Sequence, residues 1–352
     1  MPDHHQILDQ EIADLKQQVS SAQMPEEMRL KVEKDIVALE RSIDLGSYDE
    51  KYEKVSRYIN WVLQVPWQAE SKDVLDVTKA AEVFSKHHYG MQDVKDRFLE
   101  YISVLKLRQD QFSKSDFRAP VLLLVGLVGT GKTTFAYSLA EALGREMVRI
   151  PFGGLGSAKE LRGNSRLYLE AEPGRVIKGI CQVKVRNPVI LLDEIDRSSQ
   201  EANRDIMGVL VELLDPAQNH AFHDLYLDYP VDLSHAIFIA TANNTTNLAT
   251  AVLDRMEKIS MPTYSDQEKI VIAKKYILPK LLEKAGLRPE QLVIKDDVWP
   301  KVVRPLGFDA GIRTLQRTLE GAVRKSARII VEKGYEEVVV TLENRQIFLP
   351  QY

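Results

Sequence analysis

Cysteine is almost missing from this chain: Cys181 stands alone among 352 residues. No internal disulfide can staple the fold, and a reducing compartment is expected, the cytoplasm or, in a eukaryote, the mitochondrial matrix. Long apolar runs are missing as well. No stretch approaches the ~18 residues that a membrane-spanning helix needs, and the N-terminus has no apolar signal region, so neither a membrane partner nor secretion is expected. Neither sign of charge dominates: 47 Lys and Arg against 51 Asp and Glu leave a formal net charge of −4, which gives a nucleic-acid partner no electrostatic support. Zinc-ligand spacing is absent among the seven histidines, His4, His5, His87, His88, His220, His223 and His235. His220 and His223 lie three apart, but their neighbours Gln218-Asn219 and Phe222-Asp224 read as loop or hairpin, not as a metal-binding helix.

What is present is 44% hydrophobic and 28% charged, enough to bury more than one core, and the length suggests about two or three domains. The strongest local signal is the run Val121-Leu122-Leu123-Leu124-Val125 followed at once by Gly126-Leu127-Val128-Gly129-Thr130-Gly131-Lys132-Thr133. The second segment fits G-x-x-x-x-G-K-[ST], and its place between an apolar strand and a helix-forming stretch makes it a phosphate-binding loop. Glycines let backbone N–H groups turn inward around phosphates, and the helix N-terminus that begins near Lys132, Thr133 and Thr134 favours anions. Lys132 can reach β and γ oxygens, and the Thr133 hydroxyl can ligate Mg²⁺. A nucleoside triphosphate, ATP with ADP as product, is the expected ligand.

A second run, Val189-Ile190-Leu191-Leu192-Asp193-Glu194, ends an apolar strand in two carboxylates. A parallel strand of this kind presents its acids at the phosphate crevice, Asp193 toward Mg²⁺ and Glu194 toward the attacking water. The pair predicts hydrolysis as well as binding.

Along the chain, residues 1–70 read as a helical N-terminal segment. Leu8, Ile12, Leu15 and Val19 form one apolar stripe, Met24-Pro25-Glu26-Glu27 restarts a helix, and Val32, Ile36, Leu39 and Ile43 continue the stripe. A third helix spans about Tyr52 to Val65. Residues 71–262 alternate strand and helix, with further strands at Met147 to Ile150 and Ala236 to Thr241, the pattern of a parallel sheet covered on both faces. Residues 263–352 read as a small helical domain with a Trp299-Pro300 break and a β-rich piece at Glu337 to Leu342. Three more polar residues stand at informative places. Asn243 ends the strand Ile237 to Ala242, where it either holds water against a γ-phosphate or is a plain turn residue. Arg255 precedes the short strand Lys258-Ile259, a position from which an arginine can reach a neighbouring subunit's phosphate. Gly311-Ile312-Arg313 opens a helix and offers a second arginine to the nucleotide.

From Trp61 to about Arg328 the chain resembles the AAA+ ATPase module of Lon proteases. The likeness rests on Val65-Pro66-Trp67, His88-Tyr89-Gly90, Phe152-Gly153-Gly154, Arg162-Gly163, Pro173-Gly174-Arg175, Leu191 to Asp196, Leu214-Asp215-Pro216, Asp232-Leu233-Ser234 and Leu253 to Glu257. The resemblance implies an α/β P-loop fold of AAA+ type with a small all-α lid. It implies that Lys132 and Thr133 are Walker A ligands, Asp193 and Glu194 the Walker B pair, Asn243 the first sensor, Arg255 a finger acting across subunits and Arg313 the second sensor. By the same likeness His88-Tyr89-Gly90 lies against adenine, and Tyr168-Leu169 is the pore loop that grips substrate polypeptide. Family members form hexameric rings that unfold proteins and feed them to a protease chamber, so the implied partners are further copies of the chain and unfolded or damaged proteins.

Several positions depart from the family pattern. The serine-lysine protease domain expected after the ATPase is not found before Tyr352, so this chain alone is expected not to cleave peptide bonds; such a domain would belong to a longer parent chain. The usual Pro-Pro of the phosphate loop is Leu127-Val128, two prolines before the finger are Ala249 and Ala251, and an Arg-Gly-Asp-Pro segment reads Asn203-Arg204-Asp205-Ile206. None of these is a phosphate or magnesium ligand. The expected function is an ATP-driven unfolding motor of Lon type. The alternatives are a non-proteolytic remodelling protein and a nucleotide-gated scaffold with little turnover.

Overall fold

The computed structural model describes residues 4–44, 49–111, 119–168, 170–304 and 311–349. Three helices come first, α1 (His4–Ser21), α2 (Glu26–Asp44) and α3 (Asp49–Gln64). Pro25 stands before α2 and Glu26 and Glu27 fill its first turn, so a preset φ and the helix dipole both favour a restart there. The expected stripe is buried at Ile12, Leu15, Val19, Val32, Ile36 and Leu39; the side chains of Leu8 and Ile43 lie outside the described residues. The helices pack on one another and then on the body of the molecule. The Tyr58 hydroxyl donates to the Leu227 carbonyl (3.1 Å), Lys31 pairs with Asp228 (2.8 Å), and Trp67 meets Tyr229 edge-on, ring centroids 5.8 Å apart.

Helix α4 (Val77–His87) starts where the Asp76 carboxylate accepts the Thr78 and Lys79 N–H groups (2.9 and 3.2 Å). It ends at the His88-Tyr89-Gly90 interruption, where Gly90 has φ +65°, and α5 (Gln92–Gln111) follows. The chain then runs β1 (Val121–Val125), α6 (Lys132–Leu143), β2 (Met147–Pro151), α7 (Lys159–Arg162), α8 (Arg175–Val183), β3 (Val189–Asp193) and α9 (Asn203–Leu214). A hairpin of β4 (Phe222–Asp224) and β5 (Tyr229–Val231) precedes β6 (Ile237–Ala242), α10 (Thr250–Leu253) and β7 (Met256–Ser260). His223 lies in that hairpin. Cys181 is buried in α8, and burial pushes its thiol up to about 12, so it stays protonated and unreactive.

Strands β2-β3-β6-β1-β7, in that order, form one parallel sheet. Alternate residues feed opposite cores. Val121, Leu123, Ile190, Leu192, Phe238 and Ala240 join the cluster that includes the N-terminal helices, α8 and α9. Leu122, Leu124, Val189, Leu191, Ile237 and Ile239 join the cluster of α4, α5 and α6. Burial on both faces is why these strands read as unbroken apolar runs. Strand β6 sits between β1 and β3, so the chain leaves β1 toward one edge of the sheet and later reaches β7 on the other side. The C-terminal ends of β1, β6 and β3 therefore adjoin at the point where strand order reverses, which is where open α/β sheets bind ligands.

Beyond the sheet, α11 (Asp266–Ile272) passes through a π turn (Ala273–Ile277) into α12 (Leu278–Lys284), followed by β8 (Leu292–Ile294), α13 (Trp299–Val303), α14 (Arg313–Lys333), β9 (Val338–Val340) and α15 (Arg345–Phe348). Ser265 and Glu268 close a reciprocal cap at the start of α11, and Trp299, Leu315, Leu319 and Val323 belong to a separate core. Two details differ from the sequence reading. Trp299-Pro300 starts a helix instead of breaking one, because Pro300 stands in the first turn, where its missing N–H has no partner to lose. The β-rich end is β9, and it pairs in parallel with Leu292–Ile294, a run of three residues too short to show a period. Among the described residues no helix is long and apolar enough to cross a membrane.

Candidate active site

Strand alternation places the acids. Asp193 continues the face of Val189 and Leu191, and Thr241 continues that of Ile237 and Ile239, the side covered by α6. Asp193 thus emerges beside the first turn of α6. The buried Thr241 hydroxyl donates to Asp193 Oδ1 (2.6 Å) and accepts the Glu194 N–H (2.8 Å). Thr133 Oγ1 donates to the same Oδ1 at 3.2 Å. Glu194 has φ +58° and ψ +52°, a left-handed conformation that costs a non-glycine residue about 1–2 kcal/mol. That turn takes Glu194 out of the strand's alternation and puts it on the wall of a cleft of about 200 Å³, with Lys132, Thr133, Asp193, Asn243 and Arg313.

The phosphate loop needs its glycines. Gly129 and Gly131 have φ +82° and +93°, and a Cβ on Gly126 would stand 2.7 Å from Met261 Cβ. Lys132 Nζ donates to the carbonyls of Gly126 (2.6 Å) and Leu127 (3.0 Å) and to Asn243 Oδ1 (3.1 Å). Burial pushes its ammonium pKa down, while the carboxylates of Asp196, Glu194 and Asp193 push the other way. Thr130 and Thr134 brace the loop through the carbonyls of Leu127 (2.9 Å) and Gly131 (2.7 Å).

Asn243 is fixed by a residue that sequence reasoning gave no role. Asp196 Oδ2 accepts the backbone N–H of Asn243 (3.1 Å) and of Asn244 (3.4 Å). The Asn243 Nδ2 is buried without a protein partner, and such a donor costs about 1–3 kcal/mol unless something accepts from it. At the wall of a cleft it suits an anionic or water oxygen. A magnesium ion fits the donor set too, since the Thr133 hydroxyl and the Asp193 carboxylate are hard oxygen donors on one side of the cleft. Among the described residues no group of three or more His, Cys, Asp or Glu is placed to hold a metal. Phosphate and water oxygens would complete the shell, as they usually do for Mg²⁺.

The helical domain closes the other side. Ile312 N–H donates to the Gly129 carbonyl (3.1 Å), and a Cβ on Gly311 would stand 2.4 Å from the Val128 carbonyl oxygen. This backbone-on-backbone approach delivers Arg313, the first residue of α14, to the cleft.

Other expected residues stand elsewhere. Arg255 lies just before β7, at the end of the sheet opposite the cleft; its guanidinium pairs with Asp215 (2.9 Å) and donates to the Ala251 carbonyl (2.6 Å). Tyr168 is 63% exposed in a turn, with the Lys159 ammonium 6.0 Å from its ring centroid; Leu169 lies outside the described residues. The His88 side chain faces the core, not the cleft: its ring stacks on Phe135 at 3.6 Å, and Nε2 is 2.9 Å from Ser138 Oγ. Tyr89 is half-buried near Tyr276, and neither residue lines the cleft. Among the departures, Asn203 opens α9 and bonds Ser198 (3.0 Å), and Ala249 precedes α10, both away from the phosphate ligands.

Burial pushes the His88 imidazole down to about 3. Below the ordinary value of about 6.5 the unfolded chain takes up a proton that the folded chain refuses, so stability falls as pH drops from about 6.5 toward 3. Between pH 7 and pH 5 this residue is expected to remove about 2 kcal/mol. Urea unfolding of wild type and His88→Gln at both pH values checks it, since the variant should lose that share of the pH dependence. Equal pH dependence in the two proteins would contradict the burial argument.

Three residues of the site were missed from sequence: Thr241, Asp196 and Arg149. Arg149 donates from Nε and Nη2 to Asp193 Oδ2 (2.8 and 2.6 Å). Strand register was the available signal, because β3 and β6 pair Leu192 with Ala240, which sets Asp193 level with Thr241.

Residues 122–263 match the family described as ATPase family associated with various cellular activities (AAA), and residues 283–339 match the Lon protease AAA+ ATPase lid domain. The chain is 37% identical over 352 residues to Lon protease 2 of Thermus thermophilus, covering 98% of this chain and 43% of that protein. It is 40% identical over 343 residues to the Lon protease of Dictyoglomus thermophilum, covering 97% and 42%. To the Lon protease of Aquifex aeolicus it is 40% identical over 331 residues, covering 94% and 41%. The chain spans about two fifths of the length of these curated relatives. A nucleotide-type cleft at a strand-order reversal, an AAA domain around it and a Lon lid across it together place this chain in the Lon family of AAA ATPases, as the family's ATPase part.

Proposed function

We propose that this chain is the ATP-driven motor of a Lon-type proteolytic machine, working as a ring of six copies that pulls unfolded or damaged protein toward a protease domain in a longer parent chain. The observation that carries the reading is the convergence of Lys132, Thr133, Asp193, Glu194 and Asn243 on one cleft at the C-terminal edge of the sheet. Lys132 and the turned-in N–H groups of the loop bind the β and γ phosphates of ATP. A magnesium ion held by Thr133 and Asp193 supplies further positive charge against the phosphate oxygens. Glu194 orients the attacking water and takes its proton. Asn243 offers its unpaired N–H to that water or to a γ oxygen, and Arg313 approaches from the lid. With the His88 imidazole in the core, contact with adenine falls to Tyr89 and to the backbone beside Gly90.

Release of the γ-phosphate changes what Asn243 and Arg313 touch, and Ile312 links the lid to the loop backbone through Gly129. Tyr168, held out on a turn of the same domain, grips substrate chain through a ring that needs no sequence match. The whole assembly works in the cytoplasm or a mitochondrial matrix. A Tyr168→Ala variant tests the motor reading: basal ATP hydrolysis should stay near the wild-type rate, while stimulation by an unfolded protein such as casein should be lost. Retained stimulation would remove Tyr168 from substrate handling.

A further inference from the structure

Asp193 is bonded on both carboxylate oxygens. Thr241 and Thr133 donate to Oδ1 (2.6 and 3.2 Å), and the Arg149 fork donates twice to Oδ2 (2.8 and 2.6 Å). Arg149 reaches it from β2 beside β3, where it is level with Leu191, two residues before Asp193. Its side chain therefore runs along the sheet toward the cleft. The two groups differ in environment: the Arg149 side chain is 51% exposed, whereas that of Asp193 is 4% exposed. Lys132 does not neutralise this acid directly, because its ammonium is spent on the Gly126 and Leu127 carbonyls and Asn243. Arg149 is thus the counter-charge of a buried carboxylate, attached at one end to solvent.

The geometry points to Arg149 as a displaceable counter-ion that competes with magnesium for Asp193 and so sets how much Mg²⁺ the site needs. This rests on the reading of Asp193 as a magnesium ligand. A divalent cation that binds Asp193 through Oδ2 meets a guanidinium already bonded there. It must share that oxygen beside a like charge or move the arginine out. Moving it costs little once the cation has taken over the carboxylate's counter-charge, since the guanidinium is half-exposed and is rehydrated when freed. Without such a partner the buried carboxylate would keep its two hydroxyl donors but lose its direct ion-pair partner, a cost that the arginine removes whenever the metal is away.

The test titrates Mg²⁺ into protein with a fluorescent ADP analogue, starting in EDTA, and reads nucleotide binding with no hydrolysis step. Arg149→Gln should lower the Mg²⁺ midpoint about fivefold, and Arg149→Lys, which keeps the charge but loses the fork, should fall between it and wild type. Binding in EDTA should change much less, and thermal melts of both variants check that they fold. Asp193→Asn separates the two ideas. If it leaves the Mg²⁺ dependence as in wild type, the magnesium reading itself fails. If it abolishes that dependence while Arg149→Gln leaves the midpoint unchanged or raises it, only the competition is overturned.

Discussion

Replacing Arg255 with alanine should cut ATP turnover by roughly 10³-fold or more while leaving nucleotide affinity nearly unchanged. The expectation comes from where the sheet puts the residue. Arg255 precedes β7, which runs parallel to β1 with Val121 beside Met256 and Val125 beside Ser260. The phosphate loop begins one residue beyond Val125, so the length of a whole strand, roughly 20 Å, separates Arg255 from the phosphate site of its own chain. No arginine side chain spans that gap. If Arg255 acts on a phosphate, the phosphate belongs to another copy, and its loss should not weaken binding in its own cleft. Its bonds to Asp215 and Ala251 hold it ready on that outer end. The Asp215 pair is partly exposed and contributes at most about 1 kcal/mol, so it can be exchanged for a phosphate. The check is turnover and nucleotide affinity measured on the same preparation, with wild-type and variant chains mixed. Mixing should restore activity to part of the Arg255→Ala chains. Equal loss of affinity and turnover, unaffected by mixing, would make the residue a local one.

Glu194→Gln is expected to leave Mg-ATP bound and to slow its hydrolysis by about 10²- to 10⁴-fold, the usual range when a general base is removed. Glutamine keeps the size and the left-handed backbone turn fixed by Thr241, but it cannot accept a proton from water. Asp193, which already accepts bonds from Thr133, Thr241 and Arg149, is too engaged to stand in. Single-turnover hydrolysis and equilibrium binding read the two quantities separately. Turnover within a few fold of wild type would mean that another group orients the water and would favour a different base.

The phosphate loop and the acid pair were legible from sequence because both are contiguous: a buried strand, a turn and a helix start sit within a few residues of one another. Sheet class was legible for the same reason, since doubly buried strands appear as apolar runs such as Leu122 to Val125 and Val189 to Leu192. What did not show was anything set by register between distant segments. Thr241 is an ordinary threonine in an apolar strand until β6 is inserted between β1 and β3, and Arg149 is an ordinary edge-strand arginine until β2 is paired with β3. The direction of the His88 ring was hidden as well. The family likeness places its segment near adenine, but whether the ring points at ligand or core depends on Phe135 and Ser138, some 50 residues on. The strand β8 escaped because three residues carry no period, and only β9 gives it a reason to extend.

The proposed chemistry requires a triphosphate seated between Lys132, Asp193 and the lid arginine. Calorimetric titration of folded Glu194→Gln chain with Mg-ATP tests this most directly, because the ligand survives the measurement. Saturable uptake approaching one nucleotide per chain is the predicted result; no heat of binding from protein that melts cooperatively would contradict it.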